Sequence, residues 1–244
     1  MLCGLAGPAS PSAKMPPILV FDLDDTLYSE RQFAISGFRA CERWLQERHG
    51  MCEVVEEMTR LLDDGHMRSL FEIVLEKHVP GRMAEHIEAF IDVYRLHEPT
   101  IELYPDAAWA LEHFGGLGGP LGLITDGQHE VQAGKVKALA IAHRFQHIVY
   151  THALGGRAFA KPHPRAFEMM EAALGRSGDR FVYIGDNPAK DFVTPNARGW
   201  ISIQVLRPQR IHSRALTVEG GAPQHVIESL TELPGLLEEI AIAR

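Results

Sequence analysis

Three carboxylates and a hydroxyl follow one apolar run near the start of the chain. The run covers residues 18–21, and the four groups belong to Asp22, Asp24, Asp25 and Thr26. Carboxylates this close together repel one another, and burying one is costly without a positive partner. A hard divalent cation is the usual remedy, because its preferred ligands are oxygens. The segment therefore predicts a metal site, with an ordinary acidic turn as the alternative, and the spacing lets two carboxylates play different roles.

Two later segments could bind a phosphate group. Thr125, Asp126 and Gly127 follow a second apolar run, where a hydroxyl and backbone N–H groups could donate to phosphate oxygens. Lys161 precedes Pro162, so a proline-stiffened loop would hold a cation. Each signal is weak alone, because Thr-Asp-Gly turns and solvated surface lysines are both common.

A fourth segment supplies further carboxylates. Gly185-Asp186 follows another apolar run, and Asp191 comes five positions after Asp186. Two carboxylates at such a junction between a strand and a helix could complete a magnesium site. Asn187, between them, could orient nearby groups, and a turn or cap role is an equal alternative.

The elements that must position these residues are short apolar runs that alternate with helical patterns. This alternation predicts an α/β fold with a doubly wound, Rossmann-like parallel sheet, whose carboxyl-terminal edge binds ligands. The predicted strands are residues 18–23, 121–125, 148–151, 181–184 and 201–206. The predicted core helices are residues 107–114, 130–139, 164–174 and 188–197.

The interval 28–99 breaks the alternation, since it has no strand pattern and about four helical periods. The apolar stripes of these predicted helices include Phe38, Leu45, Met58, Met67 and Phe90. We therefore expect a four-helix inserted domain between core segments 18–27 and 100–244. Residues 1–17 are rich in Ala, Pro, Ser and Gly and are predicted to be a disordered extension, in which Met15 is an alternative start. Amphipathic sequence at 226–230 and 236–242 predicts packing helices.

Composition limits the function classes. The net charge is −8 and there is no basic stripe, which argues against a nucleic-acid partner. No apolar run approaches the length of a membrane span, and no signal peptide is recognisable. Three cysteines without metal-type spacing fit the cytoplasm better than a disulfide framework. The sequence predicts nothing about the oligomeric state.

The four segments together are more specific than any one of them. Asp-x-Asp-x-Thr, strand-Thr, Lys-Pro and Gly-Asp-x-x-x-x-Asp occur in this order, separated by βα units. In order and placement they resemble the motifs of phosphatases in the haloacid dehalogenase (HAD) superfamily, over about residues 18–206. The helical insert resembles the C1-type cap of that superfamily. The resemblance implies a Mg²⁺-dependent phosphomonoester hydrolase that acts on a small phosphorylated metabolite, either a nucleoside monophosphate or a sugar phosphate.

The resemblance also implies a role for each matching residue. Asp22 would be the nucleophile that forms an aspartyl phosphate, and Asp24 would be the general acid and base. Phosphate binding would fall to Thr125, Asp126 and Lys161. The Mg²⁺ ligands would be Asp22, Asp186 and the main-chain carbonyl of Asp24, with Asp191 and Asn187 in support.

Other functions remain open at this point. Dehalogenases that resemble this core lack an acid two residues after the nucleophile, so Asp24 disfavours that reaction. A phosphomutase would keep both aspartates and is not excluded by the motifs. A two-component receiver module also combines Asp, Thr and Lys on a parallel sheet, but it needs about half this length and has no place for the insert. A substrate-binding pseudoenzyme is disfavoured because both aspartates are intact.

Overall fold

The computed structural model describes residues 16–175, 180–208, 210–211 and 216–242. The predicted disordered extension therefore lies outside the described residues, except for Pro16 and Pro17. Among the described helices, none is long and apolar enough to cross a membrane.

Within the described residues, six strands form a single parallel sheet in the order β3-β2-β1-β4-β5-β6. The strands are β1 Ile18–Phe21, β2 Leu121–Thr125, β3 His147–Tyr150, β4 Phe181–Gly185, β5 Ile201–Val205 and β6 His225–Ile227. The chain adds strands outward from β1 to one edge, then crosses to β4 and continues to the other edge. The switch point therefore lies between β1 and β4, and the predicted doubly wound α/β fold is confirmed.

Helices cover both faces of the sheet. They are α5 Pro105–Gly116, α6 His129–Ala138, α7 Arg165–Leu174, α8 Val193–Ala197 and α9 Leu233–Ile242. Side chains of β1 alternate between two apolar clusters, since Leu19 and Phe21 enter one and Ile18 and Val20 enter the other. Burial on both faces explains why the strand reads as a continuous apolar run instead of an alternating one.

The interval 28–99 is helical, as the sequence predicts. Its helices are α1 Glu30–His49, α2 Val55–Asp63, α3 Leu70–His78 and α4 Met83–Leu96. The predicted apolar stripes meet in a cluster of their own, which includes Phe38, Leu45, Met58 and Phe90. Met67 is an exception, because it precedes α3 and is 43% exposed. We call residues 28–99 the helical insert.

The predicted helix at 188–197 is confirmed for Val193–Ala197, which is α8, and is wrong for the residues before it. The residues before it form a turn closed by side chains. The backbone N–H of Asn187 donates to Asp191 Oδ2 at 2.9 Å, and that of Ala189 donates to Asn187 Oδ1 at 3.0 Å. Such bonds offer the backbone an alternative to the helix, and Asn and Asp are the residues that form them.

The predicted helix at 226–230 is wrong as well. His225–Ile227 is the edge strand β6, paired with β5, and a short 3₁₀ helix, Leu230–Glu232, follows it. A three-residue strand is too short to show a period of two, so its pairing with β5 decides its structure. The predicted helix at 236–242 lies within α9.

Candidate active site

The carboxyl ends of three neighbouring strands bring the candidate residues together. Asp22 follows β1, Thr125 ends β2, and Asp186 follows β4. β1 lies between β2 and β4, and the backbone N–H of Asp22 donates to the carbonyl of Ile184 at 2.8 Å. The three side chains are almost completely buried. Segments up to 164 residues apart in sequence, the distance from Asp22 to Asp186, thus meet at the predicted edge of the sheet.

The turn after β1 sets the direction of its carboxylates. Asp25 adopts a left-handed conformation with φ 50°. Its carboxylate accepts the backbone N–H groups of Glu30 at 2.9 Å and Ile211 at 2.7 Å. Arg207 donates to the carbonyl of Thr26 at 2.7 Å. Asp25 therefore supports the loop, because its bonds tie the start of the insert and a C-terminal segment to the site.

Lys161 lies at the centre of the site. Its Nζ is 2.5 Å from Asp22 Oδ1 and 2.8 Å from Asp191 Oδ1, and it donates to the Tyr183 hydroxyl at 2.9 Å. Burial disfavours the ammonium, but the carboxylates of Asp191 and Asp22 hold the pKa of Lys161 well above its ordinary value. The lysine therefore carries a fixed positive charge directly beside the Asp22 carboxylate.

Three carboxylates form a cluster next to this lysine. Oxygens of Asp22, Asp186 and Asp191 lie within 4.8 Å of one another. Asp186 Oδ2 is buried and has no hydrogen-bond partner among the described residues. Burial and the charges of Asp191 and Asp22 raise the pKa of Asp186 to about 9. Burial also raises the pKa of Asp22 to about 6, although Lys161 opposes this shift.

These residues fit a divalent cation with oxygen ligands. The cluster holds more buried negative charge than Lys161 can balance, and it leaves Asp186 Oδ2 with neither a hydrogen-bond donor nor an ion-pair partner among the described residues. A Mg²⁺ ion would supply both the charge and the contact for that oxygen. Gly185 makes room for the arrangement, because a Cβ at this position would lie 2.6 Å from Asp191 Oδ2.

Asp24 has surroundings of its own. Its Oδ1 accepts the Tyr28 hydroxyl at 2.5 Å and the Lys135 ammonium at 2.6 Å, and its Oδ2 accepts the Gln132 amide at 2.8 Å. Burial raises the pKa of Asp24, but Lys135 and the hydrogen bonds outweigh it and leave the pKa below its ordinary value. Gln132 also donates to Thr125 Oγ1 at 2.5 Å, which links Asp24 to the predicted phosphate site.

The Asp126 carboxylate binds the loop that carries Lys161. It accepts the Thr151 hydroxyl at 2.9 Å and the backbone N–H of Lys161 at 3.0 Å, and it pairs with Lys190 Nζ at 3.2 Å. Burial opposes the charge on Asp126, but Lys161 and Lys190 lower its pKa to about 2. A contact between the Asp126 backbone N–H and a phosphate stays a prediction. Asn187 takes the turn role that was one of its two alternatives.

Sequence reasoning missed several residues of the site, namely Tyr28, Gln132, Lys135, Tyr183 and Lys190. A signal existed for two of them. Gln132 and Lys135 are three residues apart on the helix that follows Thr125-Asp126-Gly127, so they share one helical face near the strand ends. Tyr183 had no such signal, because it reads as one more apolar position of β4.

A cleft of about 1050 Å³ opens between the helical insert and the core, and Gln132 connects it to the site. Its charged lining is mixed in sign: Glu30, Asp92, Arg95, Glu130 and Arg157. An apolar cavity of about 490 Å³ lies at the amino-terminal end of the strands, among the first residues of β1, β2 and β5. It is far from the carboxylates, so the cleft is the better place for a substrate.

The chain was compared with families, curated proteins and solved structures. A family model described as haloacid dehalogenase-like hydrolase matches residues 17–193, and an HAD-hydrolase-like model matches residues 158–233. A glyceraldehyde 3-phosphate phosphatase from Methanopyrus kandleri is 25% identical over 91% of this chain and 97% of its own. A phosphoserine phosphatase from Thermus thermophilus is 32% identical over 53% of this chain and 51% of its own.

A solved structure supports the fold. A 2-haloacid dehalogenase from Pseudomonas syringae pv. Tomato superposes with a TM-score of 0.61 and 23% identity, over 92% of this chain and 99% of its own. At this identity the likeness shows the fold and leaves the reaction to the residues of the site.

Proposed function

The chain belongs to the haloacid dehalogenase-like hydrolase family and is a phosphatase, and we propose that it hydrolyses small phosphomonoesters with Mg²⁺ through an aspartyl phosphate. The family membership confirms the resemblance seen in the four motifs. One observation carries the mechanism: Asp22 and Asp24 are two residues apart but lie beside different lysines, at 2.5 Å and 2.6 Å. Neighbouring groups in different surroundings can perform different chemistry.

Phosphate binding falls to groups that can still donate. Thr125 Oγ1 accepts the Gln132 amide, so its own hydrogen is available to a phosphate oxygen. Lys161 places a buried positive charge beside Asp22, where the negative phosphate must approach. Fixed donors and charges of this kind stabilise the transition state of phosphoryl transfer.

The Mg²⁺ ion would be held by Asp22, Asp186 and the main-chain carbonyl of Asp24, with Asp191 beside them. When bound, it would screen the repulsion between the carboxylate and the phosphate and polarise the phosphoryl group. Lys161 holds the Asp22 carboxylate by Oδ1. The buried position of Asp22 keeps bulk water away from the attacking carboxylate.

The reaction would proceed in two balanced steps. An Asp22 oxygen attacks phosphorus, the bond from phosphorus to the ester oxygen breaks, and Asp24 gives that oxygen a proton. Because the pKa of Asp24 lies below its ordinary value, that proton would enter with the monoanion of the phosphomonoester and pass to Asp24 on binding. Water then attacks phosphorus, Asp24 takes a proton from the water, and the bond from phosphorus to Asp22 breaks. Asp24 serves as acid first and base second. Halide needs no proton when it leaves, so this residue favours phosphate hydrolysis over dehalogenation.

A small phosphorylated metabolite is the proposed substrate class. The two curated relatives are named for glyceraldehyde 3-phosphate and phosphoserine, which are both small. A nucleoside monophosphate or a sugar phosphate would also fit a cleft of about 1050 Å³. We propose that the helical insert is a cap that covers this cleft during turnover. The sparse cysteines support a cytoplasmic location.

The experiment is a phosphate-release assay on a panel of phosphorylated metabolites, in Mg²⁺ and in chelator. We expect release from at least one small phosphomonoester in Mg²⁺, and its loss in chelator. Isomerisation of a sugar phosphate without phosphate release would favour a phosphomutase. Stable self-phosphorylation without turnover would favour a signalling module. Either result would contradict the proposed function.

A further inference from the structure

We infer that Lys135 is a positioning residue that holds the Asp24 carboxylate so that Oδ2 is the oxygen that exchanges protons with the substrate. None of the four motifs contains Lys135. The inference rests on the proposed function, because it concerns the acid and base of that same reaction.

The burial of Lys135 shows that it is part of the site. The residue is 4% exposed, and its Nζ lies 2.6 Å from Asp24 Oδ1. Lys137, on the same helix, is exposed. Burying a lysine costs free energy, which a close carboxylate offsets. The two lysines therefore differ in their surroundings although they share a helix.

Asp24 needs a cation other than Lys161. The Lys161 ammonium already contacts Asp22 and Asp191. Asp24 lies between Asp22 and Asp25 in sequence, and nearby carboxylates repel it. Lys135 is the ion-pair partner of Asp24 among the described residues, so losing its ammonium would leave this partly buried carboxylate without a positive neighbour.

The donors are divided unevenly between the two oxygens of Asp24. Oδ1 accepts both Tyr28 and Lys135, which uses its two lone pairs. Oδ2 accepts Gln132, which leaves one lone pair. A proton in transit can therefore be carried by Oδ2, and Gln132 places that oxygen next to Thr125 of the phosphate site.

Lys135 also contacts the helical insert. Its Nζ lies 4.4 Å from the centre of the Phe33 ring on α1, a distance at which a cation and an aromatic face attract. The ammonium is therefore held between the insert and the Asp24 carboxylate. A shift of α1 would therefore act on Lys135 and, through it, on the Asp24 carboxylate.

The test is Lys135→Met assayed on two substrates, with Lys137→Met as the matched control. One substrate is an alkyl phosphate, whose leaving oxygen needs a proton, and the other is p-nitrophenyl phosphate, whose leaving group needs little help. We expect Lys135→Met to lower kcat/KM on the alkyl phosphate by about 100-fold. On p-nitrophenyl phosphate we expect kcat/KM to fall by less than about 10-fold, because kcat/KM reports the first step and leaves out hydrolysis of the intermediate, which the two substrates share. The Lys137→Met control should keep wild-type rates.

Other variants keep the test decisive if Lys135→Met does not fold. Lys135→Gln keeps a donor without the charge and should show the same difference between substrates, and Lys135→Arg should recover part of the alkyl phosphate rate. Equal losses on both substrates would mean a structural role and overturn the inference, as would wild-type rates in Lys135→Met. If the unmodified protein releases phosphate from neither substrate nor from the metabolite panel, the proposed function fails first.

Discussion

The surroundings of Asp22 and of Asp24 differ although the two residues are almost adjacent in sequence. Asp22 shares Lys161 with Asp191 and lies in a cluster with Asp186. Asp24 pairs with Lys135 and accepts two neutral donors. Burial raises the pKa of Asp22 to about 6, whereas Lys135 and the hydrogen bonds lower that of Asp24.

The chemistry available to each carboxylate of an acidic cluster therefore depends on the side chains around it. The two carboxylates have the same chemistry in isolation. Both belong to the short segment that follows β1, so their spacing is a local property of the sequence. Their cations come from two separate elements, the loop before α7 and the helix α6. The division into nucleophile and acid/base is therefore a proposal that single substitutions can test.

The largest effect should come from Asp22→Asn. The amide keeps the shape of the side chain but cannot attack phosphorus, so we expect kcat to fall by at least about 10⁴-fold. Phosphate release on the best substrate measures the loss, and circular dichroism and Tm check that the variant is folded. A folded variant with near wild-type activity would remove Asp22 from the role of nucleophile.

Asp24→Asn should have the next largest effect. Loss of proton transfer should lower kcat on an alkyl phosphate by about 10²- to 10⁴-fold. With p-nitrophenyl phosphate, the first step should survive better than hydrolysis of the intermediate, so the phosphorylated enzyme should accumulate. Intact-protein mass spectrometry after rapid quenching tests for it. If Asp22→Asn accumulates the same species, the two roles are assigned the wrong way round.

Asp186→Asn tests whether the carboxylate cluster binds Mg²⁺. Loss of a ligand charge should raise the Mg²⁺ concentration needed for half-maximal activity by at least about 10-fold. Asp64→Asn, at an exposed position of the insert, is the matched control and should leave the Mg²⁺ dependence unchanged. An unchanged dependence in Asp186→Asn would place the ion elsewhere.

The smallest expected effect is the change with pH in the thermal stability of the metal-free protein. The folded-state pKa of Asp186 is raised to about 9, so the folded protein binds this proton more tightly than the unfolded chain. The associated stability is present below the ordinary pKa of about 4 and is lost as pH rises toward 9. We expect Tm in chelator to fall by a few degrees over this range.

Mg²⁺ should remove most of that fall. The ion binds the ionised cluster, so the difference in Tm between Mg²⁺ and chelator should grow with pH, as scanning calorimetry would show. Asp186→Asn cannot ionise and should show a weaker dependence on pH. A metal effect that shrinks with rising pH would contradict the assignment of the cluster.

Local patterns were sufficient for most of the fold. Strands β1, β2 and β4 are mostly apolar because they are buried on both faces, and the helices of the insert show clear amphipathic periods. The failures lie where neighbours decide the structure. The edge strand β6 exists by pairing with β5, and the turn before α8 exists through the side chains of Asn187 and Asp191.

The meeting of Asp22, Thr125 and Asp186 follows from the sequence alone, because the strands that carry them all end at one edge of a parallel sheet. The partners of the two carboxylates follow from tertiary contacts: Lys161 lies beside Asp22, whereas Asp24 contacts Lys135, Tyr28 and Gln132. Hydrogen bonds and burial act over a few ångströms in space, whereas Asp24 and Lys135 are 111 residues apart in the chain. The pattern of α6 places Gln132 and Lys135 on one face near the strand ends, but it does not encode which of the two carboxylates they contact.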